Sequence, residues 1–329
     1  MISSLQQTYI QKQNDNLYHH EEKVNAICEQ VPGLAPLIQQ RHLSIMNGIR
    51  SGLNGLDKKA VSHTTLPSLL QEYNKKIAAL LEAHNFPKNA LDPEYACNLC
   101  KDEGYLLTPS RHMCSCMKQK LETMMLEEIG LADNIETFEN YNANLFSQDY
   151  VQQGTTQRQN AQSNKRSCEQ YADSFPNTTP LDLLLNGSSG LGKTYLLHAI
   201  AHRVIHNGYF PMYTSAFQFF TLARRSHMEN NPDLLTSYYE APLLLLDDLG
   251  TEPLLQNITI VQLFALLNER QLTGKHTVIS TNLSFAELKE RYTERISSRM
   301  LDPTRVKRLI FIGQDIRSKL HLLPEEKKS

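Results

Sequence analysis

After Pro180 the chain falls into short apolar runs separated by stretches in which apolar residues return at helical spacing. Residues 181–185, 211–214, 243–246 and 277–280 read as strands, and residues 193–207, 217–225 and 259–272 as helices. The strands are close to unbroken hydrophobic runs, as burial on both faces demands. Such alternation predicts an α/β domain in which a parallel sheet is flanked by helices.

The first ninety residues follow a different pattern. Polar and apolar positions mix over residues 3–30, until Pro32-Gly33 breaks the run. Over residues 65–83, Leu66, Leu69, Leu70, Tyr73, Ile77, Leu80 and Leu81 recur at helical spacing, and Asn85-Phe-Pro-Lys-Asn89 closes the segment. This stripe reads as the core of a helix hairpin, the alternative being a docking surface for a partner helix. A further helix is expected over residues 118–131. The Gln-, Asn- and Ser-rich stretch 147–174 reads as a polar helix ending in Tyr171-Ala-Asp-Ser-Phe175 rather than as a linker. The expected organisation is a helical partner-binding region over 1–90, a small cysteine-rich segment with a connecting helix over 91–134, and the α/β domain over 135–329.

Length and charge add bounds. A chain of 329 residues has room for about two domains. No run of about 18 apolar residues is present and the polar N-terminus lacks a signal-peptide stretch, so the expected location is the cytoplasm, with no membrane partner. Lys plus Arg (33) nearly balances Asp plus Glu (35), which argues against a surface coated in basic charge for nucleic acid.

Gly187-Ser-Ser-Gly-Leu-Gly-Lys-Thr194 fits the phosphate-binding pattern Gly-x-x-x-x-Gly-Lys-Ser/Thr, directly after an expected strand and at the start of an expected helix. Gly187, Gly190 and Gly192 let the backbone curl so that N–H groups, including those of Ser188, Ser189 and Leu191, face phosphate oxygens. Lys193 is placed to reach the β- and γ-phosphates of ATP, the Thr194 hydroxyl to ligate Mg²⁺, and Tyr195 continues the binding segment. Downstream, the apolar run Leu243-Leu-Leu-Leu ends in Asp247-Asp248. Asp247 is the expected holder of Mg²⁺, through water, and Asp248 the carboxylate that polarises the attacking water. Aspartate is one methylene shorter than glutamate, so slow turnover is expected. Asn282, at the end of the next strand, is the candidate γ-phosphate sensor. Arg299 is the candidate arginine finger for a neighbouring subunit, and Arg295 is read as a structural partner of an acid.

Four of the six cysteines, Cys97, Cys100, Cys114 and Cys116, lie within twenty residues. In a reducing compartment this reads as a metal site, and four thiolates suit a tetrahedral structural Zn²⁺. Lys101-Asp-Glu-Gly104 supplies the turn of a knuckle. His112 is a competing ligand.

On these motifs the C-terminal part resembles the bacterial replicative-helicase loaders of the DnaC/DnaI type, which share an AAA+ ATPase domain with the transposition helper IstB. The likeness covers about 190 residues. It is carried by Thr137-Phe-Glu-Asn-Tyr141, Asp247-Asp-Leu-Gly-Thr-Glu252, Leu267-Asn-Glu-Arg270, Ile279-Ser-Thr-Asn-Leu-Ser284 and Phe311-Ile-Gly-Gln-Asp-Ile-Arg317. The last of these resembles the family's terminal strand, with Arg317 as a second nucleotide sensor. The cysteine segment is similar to the zinc-binding part of DnaI-like loaders. The resemblance implies an ATPase that self-associates when ATP-bound, grips a hexameric replicative helicase through its N-terminal helices, and acts on single-stranded DNA. Arg224, Arg225, His227, Tyr238 and Tyr239 are then the candidate DNA contacts. A transposition helper and a nucleotide-gated adaptor with little hydrolysis are the competing expectations.

Overall fold

A computed structural model describes residues 2–53, 65–108, 110–255 and 258–317. The chain divides into two compact units, residues 1–121 and 122–329.

The first unit is helical, with α1 (Ile2–Gln30), α2 (Leu34–Leu53) and α3 (Thr65–Ala83). Ile27, Val31, Leu34, Ile77, Leu81 and Ala90 form one buried cluster, and Leu5, Tyr9, Met117 and Leu121 are buried elsewhere in the unit. From the expected stripe on α3, Ile77 and Leu81 enter this core, Leu80 packs on it half-buried, and Leu69 stays exposed. The side chain of Leu66 lies outside the described ones. The helix α2 was not anticipated as a separate element. Its polar residues interleave with Leu, Ile and Met without a clean stripe, and Leu43, Met46 and Ile49 remain exposed. A two-stranded antiparallel ribbon, β1 (Tyr105–Leu106) with β2 (His112–Met113), carries the cysteine knuckle and leads into α4 (Ser115–Glu128).

In the second unit a short ribbon, β3 (Val151–Gln152) with β4 (Thr155–Thr156), precedes α5 (Gln157–Ser174). The stretch that composition alone leaves open as a linker is therefore helical in its second part. A capping box between Thr156 and Gln159 starts it, and Ala161, Cys168, Tyr171 and Ala172 are buried. The elements that follow are β5 (Asp182–Asn186), α6 (Lys193–His206), β6 (Met212–Ser215), α7 (Ala216–Met228), α8 (Thr236–Glu240), β7 (Leu243–Leu249), α9 (Thr259–Leu272), β8 (His276–Thr281), α10 (Phe285–Arg291), α11 (Glu294–Leu301) and β9 (Val306–Ile310). All five longer strands run parallel, in the order β6-β7-β8-β5-β9.

The sheet is buried on both faces. Leu244, Leu246 and Ile279 face Phe219, Leu263, Leu266 and Ile296 of α7, α9 and α11. The alternate positions Leu243 and Leu245 are equally free of solvent, as are Leu196, Leu197 and Ile200 of α6. Each such side chain contributes about 1.5–3 kcal/mol. Arg270 is fully buried as well. Its guanidinium donates to the carbonyls of Tyr238 (2.8 Å) and Ala241 (2.9 Å), to the His276 carbonyl, and to the Thr277 hydroxyl (3.1 Å). It thereby ties the end of α9 to the chain on either side of β7.

One expectation needs correction. The terminal strand is Val306–Ile310, and Phe311–Arg317 is the loop after it. As an edge strand, β9 buries Val306 and Leu309 but exposes Lys307 and Arg308, so it does not read as an apolar run. Among the described residues no helix is long and apolar enough to cross a membrane.

Candidate nucleotide site and metal centre

Parallel strands deliver their C-terminal ends to one edge of the sheet, which is where ligands bind in open α/β folds. Here that edge gathers the loop after β5 (187–192), Asp248 near the end of β7, Asn282 directly after β8 and the loop after β9 (311–317). They border a cavity of about 530 Å³, together with residues of the 135–146 segment. Ser189–Tyr195, Asp248, Asn282 and Arg317 all line it.

The loop is shaped by close approach. Gly190 and Gly192 have φ of +73° and +82°. A side chain at Gly187 would meet the Phe311 carbonyl at 2.4 Å, and one at Gly190 would meet the Asp315 carboxylate at 2.0 Å. The Ile316 N–H donates to the Gly190 carbonyl at 3.0 Å, so the β9 loop lies directly on the glycine loop. Helices α5, α7 and α10 each start with a side-chain capping box, whereas α6 starts at left-handed Gly192 with no side-chain cap. The first N–H groups of α6 are thus left for an anion, which the helix field favours.

Lys193 is 5% exposed. Its ammonium donates to the carbonyls of Gly187 and Ser188 and to Asn282 Oδ1, each at 2.7 Å. Burial pulls its pKa down to about 8, against the opposing charges of Asp248 and Asp247. Asp247 is 4% exposed and fixed on both oxygens. Oδ1 accepts from the Ser280 hydroxyl and from the Asp248 N–H (3.0 Å), and Oδ2 accepts from the Tyr213 hydroxyl (3.1 Å). At Asp248 the strand register with β8 shifts and φ turns to +52°, which brings its side chain to the cavity. Burial and then the neighbouring Asp247 charge push the Asp248 carboxyl up, while Lys193 resists. Thr194 and the two carboxylates offer hard oxygen donors, the chemistry Mg²⁺ requires.

The remaining expected residues divide. Arg317 is exposed at the cavity rim, 3.8 Å from Asp315. Tyr195 donates to the Thr137 carbonyl at 2.9 Å. Arg299 does not border this cavity. Its guanidinium lies over the Phe264 ring and donates to Asn268 (2.8 Å). Arg295 is exposed. Arg224, Arg225 and His227 are exposed at the end of α7, with Arg225 paired to Glu229 at 2.7 Å. Tyr238 and Tyr239 are half-buried on the core, Tyr238 edge-on to Phe219, which leaves little ring face for a base.

Several site residues lie outside the quoted motifs or have no role assigned within them. Ile135, Glu136, Tyr141, Leu145, Phe146 and Ile316 form an apolar wall with one acid, suited to a nucleobase. Ser280 and Tyr213 brace Asp247 from neighbouring strands. Glu252, fully buried, accepts from the Gly250 N–H (2.8 Å) and from Tyr292 and Arg291, fastening the loop beyond Asp248 to α10. Only the spacing Asp248–Glu252 hints at this.

In the first unit Cys97, Cys100, Cys114 and Cys116 place their Sγ atoms within 4.8 Å of one another, with separations of 3.8 Å (Cys97–Cys114) and 3.5 Å (Cys100–Cys116). Four sulfurs around one zinc at about 2.3 Å lie about 3.8 Å apart, so this cluster fits a zinc-binding segment without disulfides. Left-handed Lys101, Asp102 and Gly104 form the knuckle turn. His112 turns away, exposed, with Nδ1 against the Ser110 carbonyl at 2.7 Å. Buried Asp102 accepts from the Ala96 (2.9 Å) and Cys97 (3.0 Å) N–H groups and from Lys12 and Asn16 of α1 (both 2.8 Å).

A parallel sheet in this strand order, with a glycine loop after β5 and paired acids near the end of β7, defines an AAA+ P-loop ATP-binding domain. The chain belongs to the family of IstB-like ATP binding proteins, whose model matches residues 114–310. It is 30% identical over 148 residues to the chromosomal replication initiator protein DnaA of Porphyromonas gingivalis, across 43% of this chain and 30% of that one. It is 30% identical over 112 residues to the replicative helicase loader DnaI of Bacillus subtilis, across 34% of this chain and 36% of that one. The chain thus spans about a third of the length of these curated relatives. Among solved structures, the DnaC helicase loader aligns with a TM-score of 0.44 and 20% identity, over 53% of this chain and 98% of the other.

Proposed function

We propose that the chain is an ATP-driven loader that places a replicative DNA helicase onto single-stranded DNA. The observation that carries this is a complete P-loop cavity in a chain with local sequence likeness to DnaI. The four-cysteine knuckle adds to it, since that segment resembles the zinc-binding part of DnaI-like loaders.

In this reading the triphosphate lies along residues 187–194, with the base against Tyr141, Phe146 and Ile316. Incoming phosphate oxygens exchange with the Gly187 and Ser188 carbonyls for the Lys193 ammonium. That exchange releases Asn282 to orient the attacking water. Asp248 accepts a hydrogen bond from this water, and its raised proton affinity suits it to the task. Thr194 and Asp247 would hold Mg²⁺, which supplies charge neutralisation on the β- and γ-phosphates when bound. Arg299 serves a neighbouring subunit once it leaves Asn268 and Phe264, so hydrolysis requires self-association. Cys97, Cys100, Cys114 and Cys116 would hold Zn²⁺, which would tie the knuckle together.

The test uses the full chain with a purified bacterial replicative helicase and circular single-stranded DNA. ATP-dependent deposition of helicase is expected, and Lys193→Ala should abolish it while leaving helicase capture by the N-terminal unit intact. Loading that persists in Lys193→Ala refutes the mechanism. Capture of a transposase in place of the helicase selects the second reading.

A further inference from the structure

Tyr213 stands on β6 opposite Leu245 of β7, while Asp247 lies two positions further along. Two residues of parallel strand span about 6.6 Å, and residues i and i+2 share a face. A tyrosine leaning along its strand bridges that distance, and a phenylalanine falls one oxygen short. The Tyr213 hydroxyl accordingly donates to Asp247 Oδ2 at 3.1 Å. A phenol keeps its proton at neutral pH, and a carboxylate can only accept, so the hydroxyl is the donor.

The ring is held in turn by α6. The imidazole of His198 meets it edge-on, with centroids 4.7 Å apart and an angle of 71°. His198 is 9% exposed, its Nδ1 faces Glu136 Oε2 at 2.5 Å, and its buried Nε2 has no partner. Within the protein the ring contacts are Nδ1 with Glu136 Oε2 and with Asn134 Nδ2 (3.0 Å), and the packing on Tyr213. Glu136 itself is steadied by Asn134 and borders the nucleotide cavity. A continuous line of contacts runs from the cavity wall through His198 and Tyr213 to Asp247.

We infer that Tyr213 is a positioning residue for Asp247, aiming its carboxylate for Mg²⁺·ATP, and that His198, held by Glu136, fixes the Tyr213 ring that delivers this hydrogen bond. This rests on the proposed ATP chemistry of the site. With Ser280 on one oxygen and Tyr213 on the other, the carboxylate cannot rotate, and its remaining lone pairs keep one orientation. Outer partners of this kind typically control metal affinity by about 10- to 100-fold.

The test is equilibrium binding of a ribose-labelled fluorescent ATP to the full chain, in excess EDTA and across a Mg²⁺ titration. In Tyr213→Phe the Mg²⁺ requirement should rise by about 10-fold or more while affinity in EDTA stays within about two-fold. His198→Ala should shift the requirement less. The double variant should match Tyr213→Phe alone, because His198 acts only through the hydroxyl. An unchanged Mg²⁺ titration in Tyr213→Phe overturns the inference, as does an equal loss of affinity with and without Mg²⁺. Additive effects of the two substitutions overturn the part assigned to His198. A wild-type chain that binds the probe with no response to Mg²⁺ overturns the ATPase reading together with this one.

Discussion

The sheet unit and the N-terminal unit bury their apolar residues on different scales. In residues 122–329, two helical layers seal a sheet in which β7, beside the central β8, is wholly solvent-free over Leu243–Leu246. In residues 2–121 one core cluster comprises six buried side chains, and Ile10, Leu17, Tyr18, Leu43, Met46 and Ile49 stay in solvent. What the N-terminal unit lacks in core it replaces with chemistry. Four convergent sulfurs and the buried Asp102 carboxylate hold the knuckle and α1 by bonds that are directional rather than hydrophobic. A small core with exposed helix faces can be reshaped by a partner, whereas the phosphate site needs a frame that does not move. The two units should therefore fail under different insults.

Metal removal should produce the largest effect. Structural zinc contributes about 10 kcal/mol or more to small domains of this kind. Cys100→Ser, or a strong chelator acting on the full chain, should abolish the helical signal of residues 2–121 while labelled ATP binds as before. Far-UV circular dichroism followed alongside nucleotide binding checks this. Retained helicity after complete loss of metal would mean that the apolar contacts of the unit suffice.

The converse insult is Arg270→Met, which leaves three backbone carbonyls and the Thr277 hydroxyl without their donor. A loss of about 3 kcal/mol is expected, lowering the Tm of the sheet unit by roughly 6–12 °C. The knuckle should keep its metal. Burial already pulls the Arg270 pKa down to about 10, which shows how far the site is removed from water. A melting curve unchanged in the sheet unit would show that the methionine side chain compensates by packing.

How much was legible in the chain follows from the same contrast. Residues 187–194 and Asp247-Asp248 can be read because one local segment must supply several backbone or carboxylate groups to one ligand, which fixes spacing. The central strands can be read because burial on both faces leaves only apolar residues. The roles of Tyr213, Ser280 and Glu136 cannot, since each reaches its partner across strands or helices by register rather than by spacing along the chain. β9 fails for a related reason, as Lys307 and Arg308 occupy the solvent side of an edge. In the cysteine segment the spacing identifies the ligands, but Asp102 is invisible until α1 is folded against it.

The smallest effect tests whether the rigid frame also tunes its charge. Lys193 has an ordinary value of 10.5, lowered to about 8 by burial. Between those two values the unfolded chain holds the proton and the folded chain has lost it, so this group makes stability rise with pH across that window. Nucleotide binding has the opposite sign. Phosphate oxygens stabilise the ammonium, so above about pH 8 binding takes up a proton, and affinity falls as pH rises through that value. Calorimetric titration of ATP without Mg²⁺ at about pH 8.5, in two buffers of different ionisation heat, should give enthalpies that differ in proportion to that heat. At about pH 6.5 Lys193 is already charged and its share of the difference should vanish. Metal removal from the N-terminal unit should alter neither result. Equal enthalpies at the higher pH would mean that the carbonyls of Gly187 and Ser188 and the charges of Asp247 and Asp248 already keep Lys193 protonated, and that the frame holds its lysine without tuning it.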